Sequence, residues 1–284
     1  MMRPRTATNR LPRLLRAWML AAPLLLGSCS HYVLYTDPEG PRYEGAFAAR
    51  PHADTLVRVV TFNIQYARHI DIAIGLLTED PHLRNADLVF LQEMDAPGTE
   101  RVAEALGMDW LYFPAVVHPK AAHDFGNAIL SRWPIRDGRK IILPHRARLV
   151  HSLRIAVTGI VDVAGTPVRV YSLHLAVPMT VSGKSREDQL RTVLADADSG
   201  QTHVIVAGDM NSHGIGKHAA DAGWAWPTQH IGSTAGHKDL DHLFLRGLRL
   251  AAPDSIGVVH DNRGASDHRP VWAVLAIGPA GARP

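Results

Sequence analysis

Short apolar runs that end in polar residues recur along most of this chain. Six of them have the length and the β-branched composition of buried strands. They cover residues 57–62, 87–91, 128–130, 168–173, 204–207 and 271–275. Helical periodicity falls between them at residues 69–79, 98–107 and 184–198, the last with apolar side chains at i, i+3, i+4 and i+7. Many strands with few intervening helices predict sheets covered by helices in one α+β domain.

The first 28 residues are interpreted as an export signal. Five arginines and no acidic residue precede a mostly apolar run at 17–26, about half of the ~20 residues that cross a bilayer. Cys29, the only cysteine, closes Leu26-Gly27-Ser28-Cys29, which resembles a bacterial lipobox. We expect lipid attachment at Cys29 and a place in the bacterial cell envelope, on the periplasmic side of the outer membrane in a Gram-negative cell. A plain cleaved signal with an incidental cysteine is the alternative.

Removal of this segment changes the charge of the chain. The whole sequence has 30 Lys and Arg against 27 Asp and Glu, a formal net charge of +3. Five of the 30 basic residues lie in the signal, which leaves 25 against 27 and a net charge of −2. Nucleic-acid binding uses clustered basic residues, and the mature chain has no such run. Composition therefore gives no support to a nucleic-acid partner, and the single cysteine excludes internal disulfides and thiolate zinc sites.

Residues 29–54 combine proline and glycine turns with no clear periodicity. We interpret them as a tether between the membrane and a domain that spans residues 55–279.

Polar side chains gather at the ends of the predicted strands. They are Asn63, Glu93, His174, Asp209, Asn211, Asp241, Asp267 and His268. We expect them on one rim of a sheet, and an extended backbone would point Asp209 and Asn211 the same way. Carboxylates with Asn and His fit a hard cation such as Mg²⁺ or Mn²⁺, and His–Asp pairs move protons. The set suits attack of water on a phosphoester, and no Gly-x-Ser-x-Gly motif supports serine chemistry.

Seven short motifs occur in one order along the chain. They are Thr61-Phe62-Asn63-Ile64, Leu91-Gln92-Glu93, Gly126-Asn127-Ala128-Ile129-Leu130-Ser131, Ser172-Leu173-His174-Leu175, Gly208-Asp209-Met210-Asn211, Leu240-Asp241-His242-Leu243 and Ser266-Asp267-His268. With these motifs, residues 56–277 resemble the endonuclease/exonuclease/phosphatase superfamily of metal-dependent phosphoester hydrolases. The resemblance implies a four-layer αββα sandwich, in which helices flank two packed, mainly antiparallel sheets, with the site at one end of the sheets.

The resemblance also implies a role for each polar residue of the rim. Glu93 matches the main metal ligand and Asn63 the asparagine beside it, with Asp209 and Asp267 as further candidate ligands. Asp209 and Asn211 match the pair that orients the nucleophile or a second metal and contacts the scissile phosphate.

Histidines complete the implied machinery. His268 matches the histidine that activates water or stabilises the phosphoryl group, with Asp267 as its partner in the motif. His174 matches the acid for the leaving group, and Asp241 the aspartate that pairs with it. The family usually has Asn-Thr-His where this chain has Ser172-Leu173-His174. Asn127 and Arg154 match a support of the site and a phosphate contact, and both are candidate ligands of the substrate phosphate.

The substrate and the number of metal ions stay open at this point. Nucleic acid, a phospholipid or sphingolipid head group and a soluble phosphorylated metabolite all fit, with specificity expected from the loops at 64–70, 115–126, 175–184 and 212–238. A catalytically inactive, ligand-binding lipoprotein is the alternative, although Glu93 and the Ser266-Asp267-His268 motif are intact. We expect a monomer. The remaining histidines, His213 and His237 among them, are interpreted as surface residues.

Overall fold

The computed structural model describes residues 33–49, 55–118, 122–148 and 151–278. The predicted signal segment and Cys29 lie outside these residues. The strands are β1 (Val33–Leu34), β2 (Tyr43–Gly45), β3 (Leu56–Asn63), β4 (Leu88–Met94), β5 (Asp109–His118), β6 (His123–Ser131), β7 (Arg136–Ile142), β8 (Ile155–Val163), β9 (Thr166–His174), β10 (Val204–Asp209), β11 (Asp241–Arg246), β12 (Arg249–Leu250), β13 (Ile256–Val258) and β14 (Val271–Ala276). The helices are α1 (Ile70–Glu79), α2 (Ala96–Leu106), α3 (Gly183–Ala197) and α4 (Gly216–Asp221), with 3-10 turns at Gln65–Ala67, His213–Ile215 and Pro227–His230.

These strands form two sheets. The first has the order β1-β5-β6-β4-β3-β14-β12, with β2 on β5 and β13 on β14, and the second has the order β11-β10-β9-β8-β7. The pairs β3–β4 and β9–β10 are parallel, and the other described pairs are antiparallel.

Three apolar cores separate four layers. The largest lies between the sheets, where Phe90 of β4 and Val157 of β8 are both fully buried. A second core packs α1 and α2 on the outer face of the first sheet. A third packs α3 and α4 on the second sheet, with Leu190 and Val193 on the buried side of α3, as the helical periodicity predicts. The αββα sandwich is confirmed.

Part of the segment interpreted as a tether belongs to the first sheet. β1 and β2 both pair antiparallel with β5, and Lys140 Nζ donates to the carbonyl oxygens of Tyr35 (3.0 Å) and Gly40 (2.6 Å). Without these strands, β5 would expose an unpaired edge, so residues 33–49 complete the sheet. None of the helices in the described part of the chain is long and apolar enough to span a bilayer.

The register of the sheets brings the polar strand ends together. In the second sheet, Asp209 at the end of β10 lies opposite His174 of β9 and Asp241 of β11. In the first sheet, Asn63 at the end of β3 lies opposite Gln92, the residue before Glu93. The predicted rim therefore exists, and it receives side chains from both sheets.

Candidate active site

Asp209 lies at the centre of this rim. Its carboxylate is buried between the side chains of His174 and Asp241, and His174 Nε2 lies 3.4 Å from Asp209 Oδ2 without forming a hydrogen bond. The Asn63 amide links it to the other sheet, because Nδ2 donates to Asp209 Oδ2 (3.1 Å) and to Glu93 Oε1 (3.3 Å). One asparagine therefore fixes the separation of the two carboxylates.

Glu93 reaches the site through a β-bulge. The register between β4 and β6 shifts between Gln92 and Met94, and Glu93 has a left-handed φ of 60°. A bulge turns one side chain away from the direction that strand alternation gives it. As a result, Gln92 stays buried and bonds to Thr61 and Ser172, while Glu93 faces the rim.

A strained turn holds the second oxygen of Glu93. The backbone N–H of Tyr66 donates to Glu93 Oε2 (3.2 Å), and the three residues Gln65–Ala67 all have positive φ values, 25°, 60° and 52°. Such conformations cost energy and concentrate at functional sites. Sequence reasoning missed Tyr66, since no glycine marks this turn.

Gly208 lets the backbone before Asp209 pass close to β9. Its φ is +147°, and a Cβ at this position would lie 1.9 Å from the carbonyl oxygen of Leu173. Only glycine fits such an approach. The lack of space for a Cβ therefore explains why glycine precedes Asp209 in the motif.

Asn211 contacts Asp209, but the backbone that joins them is not extended as predicted. β10 ends at Asp209, and Asn211 has a left-handed φ of 51° rather than an extended backbone. Its backbone N–H donates to Asp209 Oδ1 (2.8 Å), and its Nδ2 donates to Leu175 O (3.1 Å) and Asp209 Oδ2 (3.3 Å). A turn therefore brings the two side chains together, and the expectation of an extended strand was wrong.

Asp241 pairs with His268 and not with His174, which corrects the pairing expected from the sequence. His268 Nδ1 lies 2.8 Å from Asp241 Oδ2, and its Nε2 lies 3.8 Å from Asp209 Oδ2. Ser266 positions this histidine, since its hydroxyl donates to Asn63 O (2.6 Å) and accepts from the backbone N–H of His268 (3.1 Å). No hydrogen bond or ion pair joins Asp267 to the His268 ring among the described residues.

Asp241, His268 and Asp209 are buried next to one another, and their charges shift the pKa values of His268 and Asp209. Burial lowers the pKa of His268, but the charge and hydrogen bond of Asp241, together with Asp209 and Asp267, outweigh burial and raise it to about 10. Burial and the adjacent Asp241 carboxylate raise the pKa of Asp209 to about 7. The pKa of His268 is thus raised by its carboxylate neighbours, and the pKa of Asp209 is shifted up toward neutral pH.

His174 lies in a different environment, beside Arg154. Arg154 Nη1 is 3.3 Å from His174 Nδ1, and its guanidinium lies over the ring of Phe125, which also contacts His174. Burial, Arg154 and His268 together hold the pKa of His174 well below its ordinary value. Because Arg154 only donates, Nδ1 accepts, and the proton of neutral His174 is on Nε2, which faces Asp209. Phe125 carried no signal in the sequence beyond its place in an apolar run.

Asn127 has a structural position. It is buried, and its Nδ2 donates to the carbonyl oxygens of Ile155 (2.9 Å) and Ser172 (3.3 Å). These bonds tie β6 of one sheet to β8 and β9 of the other. The position fits a support of the site and does not fit contact with a substrate phosphate.

The donors on this rim fit a divalent cation. Asp209, Asp241 and His268 offer ligand atoms within 4.8 Å of one another, and Asp241 Oδ1 is buried without a hydrogen-bond partner among the described residues. His268 can act as a ligand only in its neutral form, so a cation bound to this group would have to displace the His268 proton. Glu93 offers a second position with oxygen donors, where burial raises the pKa of its carboxyl and the charge of Asp267 adds to that effect. A hard cation would offset the free-energy cost of burying the charged Glu93 carboxylate.

Comparison with known proteins gives the family. The Endonuclease/Exonuclease/phosphatase family profile matches residues 60–268. The chain belongs to this family. Its members are phosphoester hydrolases that generally depend on a divalent metal, so the fold and the Asp-Asp-His group agree with phosphoesterase chemistry. No curated protein matches the chain.

Solved structures share the fold at low sequence identity. An endonuclease/exonuclease/phosphatase from Beutenbergia cavernae DSM 12333 has 24% identity and a TM-score of 0.61, over 78% of this chain and 72% of that one. D. rerio TDP2 complexed with a single-strand DNA product has 17% identity and a TM-score of 0.62, over 78% and 99%. The mannosyl-6-phosphatase of Bacteroides thetaiotaomicron VPI-5482 has 16% identity and a TM-score of 0.58, over 77% and 99%. These likenesses establish the architecture of this family member.

Proposed function

We propose that this protein is a divalent-metal-dependent phosphodiesterase that hydrolyses its substrate by attack of water on phosphorus. The observation that carries the proposal is the buried group in which His268, held by Asp241, faces Asp209 beside Glu93. This arrangement combines a cation, a proton acceptor and oxygen ligands within one rim.

Asp209 is suited to accept the proton of the attacking water. A general base works best when its pKa lies near the working pH, and burial with Asp241 raises the pKa of Asp209 to about 7. Asn63 and Asn211 donate to the same carboxylate oxygen and hold its direction. The nucleophile and its base are therefore oriented by side chains from both sheets.

His268 and Arg154 supply positive charge to the phosphoryl group. Of the two roles that the resemblance implies for His268, its raised pKa favours that of a donor over that of a base. Charged donors fixed in a buried site stabilise the charge that develops on phosphoryl oxygens. Neutral His174 directs its Nε2 proton toward Asp209 Oδ2, 3.4 Å away, and so positions the base rather than the leaving oxygen.

Glu93, Asn63 and Asp267 are the residues that would hold the divalent ion. When bound, such an ion supplies charge neutralisation at phosphoryl oxygens and lowers the pKa of water. The β-bulge and the hydrogen bond from the Gln65–Ala67 turn fix the position of the Glu93 carboxylate without an ion.

Hydrolysis of bis(4-nitrophenyl) phosphate tests this proposal. We expect turnover with Mg²⁺ or Mn²⁺, none with a chelator, and a loss of about 10²–10⁴-fold in Asp209→Asn, the size of a general-base contribution. Asp221→Asn is the matched control, because Asp221 is exposed and pairs with Lys217 near the other end of α4. Absence of turnover with any divalent ion, or equal rates in the two variants, would contradict the proposal.

We also propose that the enzyme works at the bacterial cell envelope, attached through Cys29. The support is the basic and apolar N-terminal segment followed by the single cysteine of the chain. An enzyme held at the envelope meets lipid head groups, extracellular nucleic acid and exported metabolites, so all three are candidate substrates.

A further inference from the structure

A cavity of about 550 Å³ opens beside the candidate active site. Asn211, which contacts Asp209, is part of its wall, and the rest comes from residues 177–179, 212–213 and 237–240 and from Arg186. Its size is that of a small-molecule subsite. Two of the loops expected to set specificity, 175–184 and 212–238, supply most of this wall.

The polar lining of the cavity includes two permanent cations. Arg186 and Lys238 face it together with His213 and His237, and Asp239 is the one carboxylate in the lining. That carboxylate is already paired, since His213 Nδ1 lies 3.3 Å from Asp239 Oδ2. Two permanent cations against one carboxylate leave a net formal charge of +1 with neutral histidines, and His213 and His237 are exposed members of this wall.

The Arg186 guanidinium has an unsatisfied donor in the described part of the chain. Its Nε is buried and has no hydrogen-bond partner there, and neighbouring Glu187 is bound to His218 at 3.2 Å. Arg186 also lies near the start of α3, where the first turn contains no acidic residue. Positive charge at a helix N-terminus is unfavourable, so stability alone does not explain a guanidinium at this position. An anion in the cavity would offset the charge of this guanidinium.

We infer that this cavity binds a second phosphate group of the substrate, next to the phosphate that is hydrolysed. A guanidinium pairs with phosphate through two parallel hydrogen bonds, and a lysine adds a point charge. Asn211 joins the two sites, because it lines the cavity and holds the Asp209 carboxylate. Val177 and Met179, both exposed at the mouth, provide an apolar wall for the carbon skeleton between the phosphates. The inference rests on the proposed function for the identity of the first phosphate.

Equilibrium binding tests the inference without requiring turnover. Calorimetry in the presence of a chelator compares thymidine 5′-monophosphate with thymidine 3′,5′-bisphosphate, and inositol 1-phosphate with inositol 1,4-bisphosphate. We expect the bisphosphate of at least one pair to bind about tenfold more tightly or better, which is the size of one charge-assisted contact. The pair that shows the preference identifies the skeleton, nucleoside or polyol.

Variants locate the preference in the cavity. Arg186→Gln should bring the ratio of the two affinities close to one, and Lys238→Gln should reduce it by a smaller factor, which provides a second test if Arg186→Gln does not fold. Arg191→Gln is the matched control, since Arg191 lies on the same helix and pairs with Asp188 outside the cavity. Equal affinities in both pairs, or a preference that survives both cavity variants, would overturn the inference. If the wild-type protein hydrolyses no phosphodiester but still binds a bisphosphate more tightly than the monophosphate, the proposed function is refuted instead.

Discussion

Replacing Asp241 with asparagine removes the negative charge that keeps His268 protonated. The carboxylate oxygen lies 2.8 Å from His268 Nδ1, and asparagine retains an oxygen that accepts the same hydrogen bond. The substitution therefore changes the charge of the pair with little change in shape. It separates the electrostatic role of Asp241 from its role in packing.

The size of the effect follows from the geometry. Opposite charges ~4 Å apart interact by about 4 kcal/mol at an effective dielectric constant of ~20, or roughly 3 pKa units. Because the hydrogen bond partly survives, we expect the pKa of His268 to fall by about 2–3 units. From about 10 in the wild type, it would then lie within about one unit of neutral pH.

Titration of the imidazole by ¹⁵N-edited NMR measures this shift directly. The protein is labelled on histidine and kept metal-free with a chelator, and His268→Gln assigns the resonance among the 17 histidines. Asp239→Asn is the matched control, because Asp239 pairs with His213 and not with His268. A wild-type His268 that titrates near 6.5, or a pKa that Asp241→Asn leaves unchanged, would refute the reasoning.

The same substitution has a signature in activity and in stability. If protonated His268 stabilises the phosphoryl group, the loss of kcat/KM in Asp241→Asn should be about tenfold larger at about pH 8.5 than at about pH 6.5. A purely structural role would give the same loss at both. In the metal-free wild type, the raised pKa of His268 contributes stability that is fully present below pH 6.5 and is lost as the pH rises toward 10. In Asp241→Asn that loss should be complete at lower pH.

Three further substitutions test separate parts of the account. Gly208→Ala should lower the free energy of unfolding by about 3 kcal/mol or more and Tm by roughly 6 °C or more. Gly165→Ala is the control and should cost only about 1–2 kcal/mol, because a Cβ at Gly165 meets no atom within 4 Å. Similar melting curves for the two variants would contradict the steric argument. Arg154→Met should lower kcat/KM by about 10²-fold, and a change within about twofold would exclude a phosphate contact. Cys29→Ser should abolish incorporation of a labelled fatty acid and release the protein from the membrane fraction, and unchanged labelling would disprove attachment at this residue.

Residues at strand ends were predictable from the sequence because strand alternation and apolar runs are local signals. The runs at 57–62 and 204–207 became β3 and β10, and α3 follows the predicted periodicity within one residue at each end. β5 and β8 were not singled out, although both are apolar, since buried strands of this kind show no alternation. Apolar runs alone therefore identified part of each sheet.

The details of the site depend on features without a local signal. The bulge that directs Glu93 arises from the pairing of β4 with β6, and the partner of Asp241 is decided by the loop before β14, which brings His268 across from another part of the chain. Residues 33–49 looked like a tether because β1 and β2 are only two and three residues long. Short edge strands are stabilised by tertiary pairing and leave little trace in the sequence.

Hydrolysis in oxygen-18 water, followed by phosphorus-31 NMR, tests the central claim most directly. We expect bis(4-nitrophenyl) phosphate to give 4-nitrophenyl phosphate with one oxygen-18 atom on phosphorus. The reaction should require a divalent ion, and Glu93→Gln should require a far higher concentration of that ion. Oxygen-18 in the nitrophenol, hydrolysis that persists in a chelator, or no product with any divalent ion would contradict it.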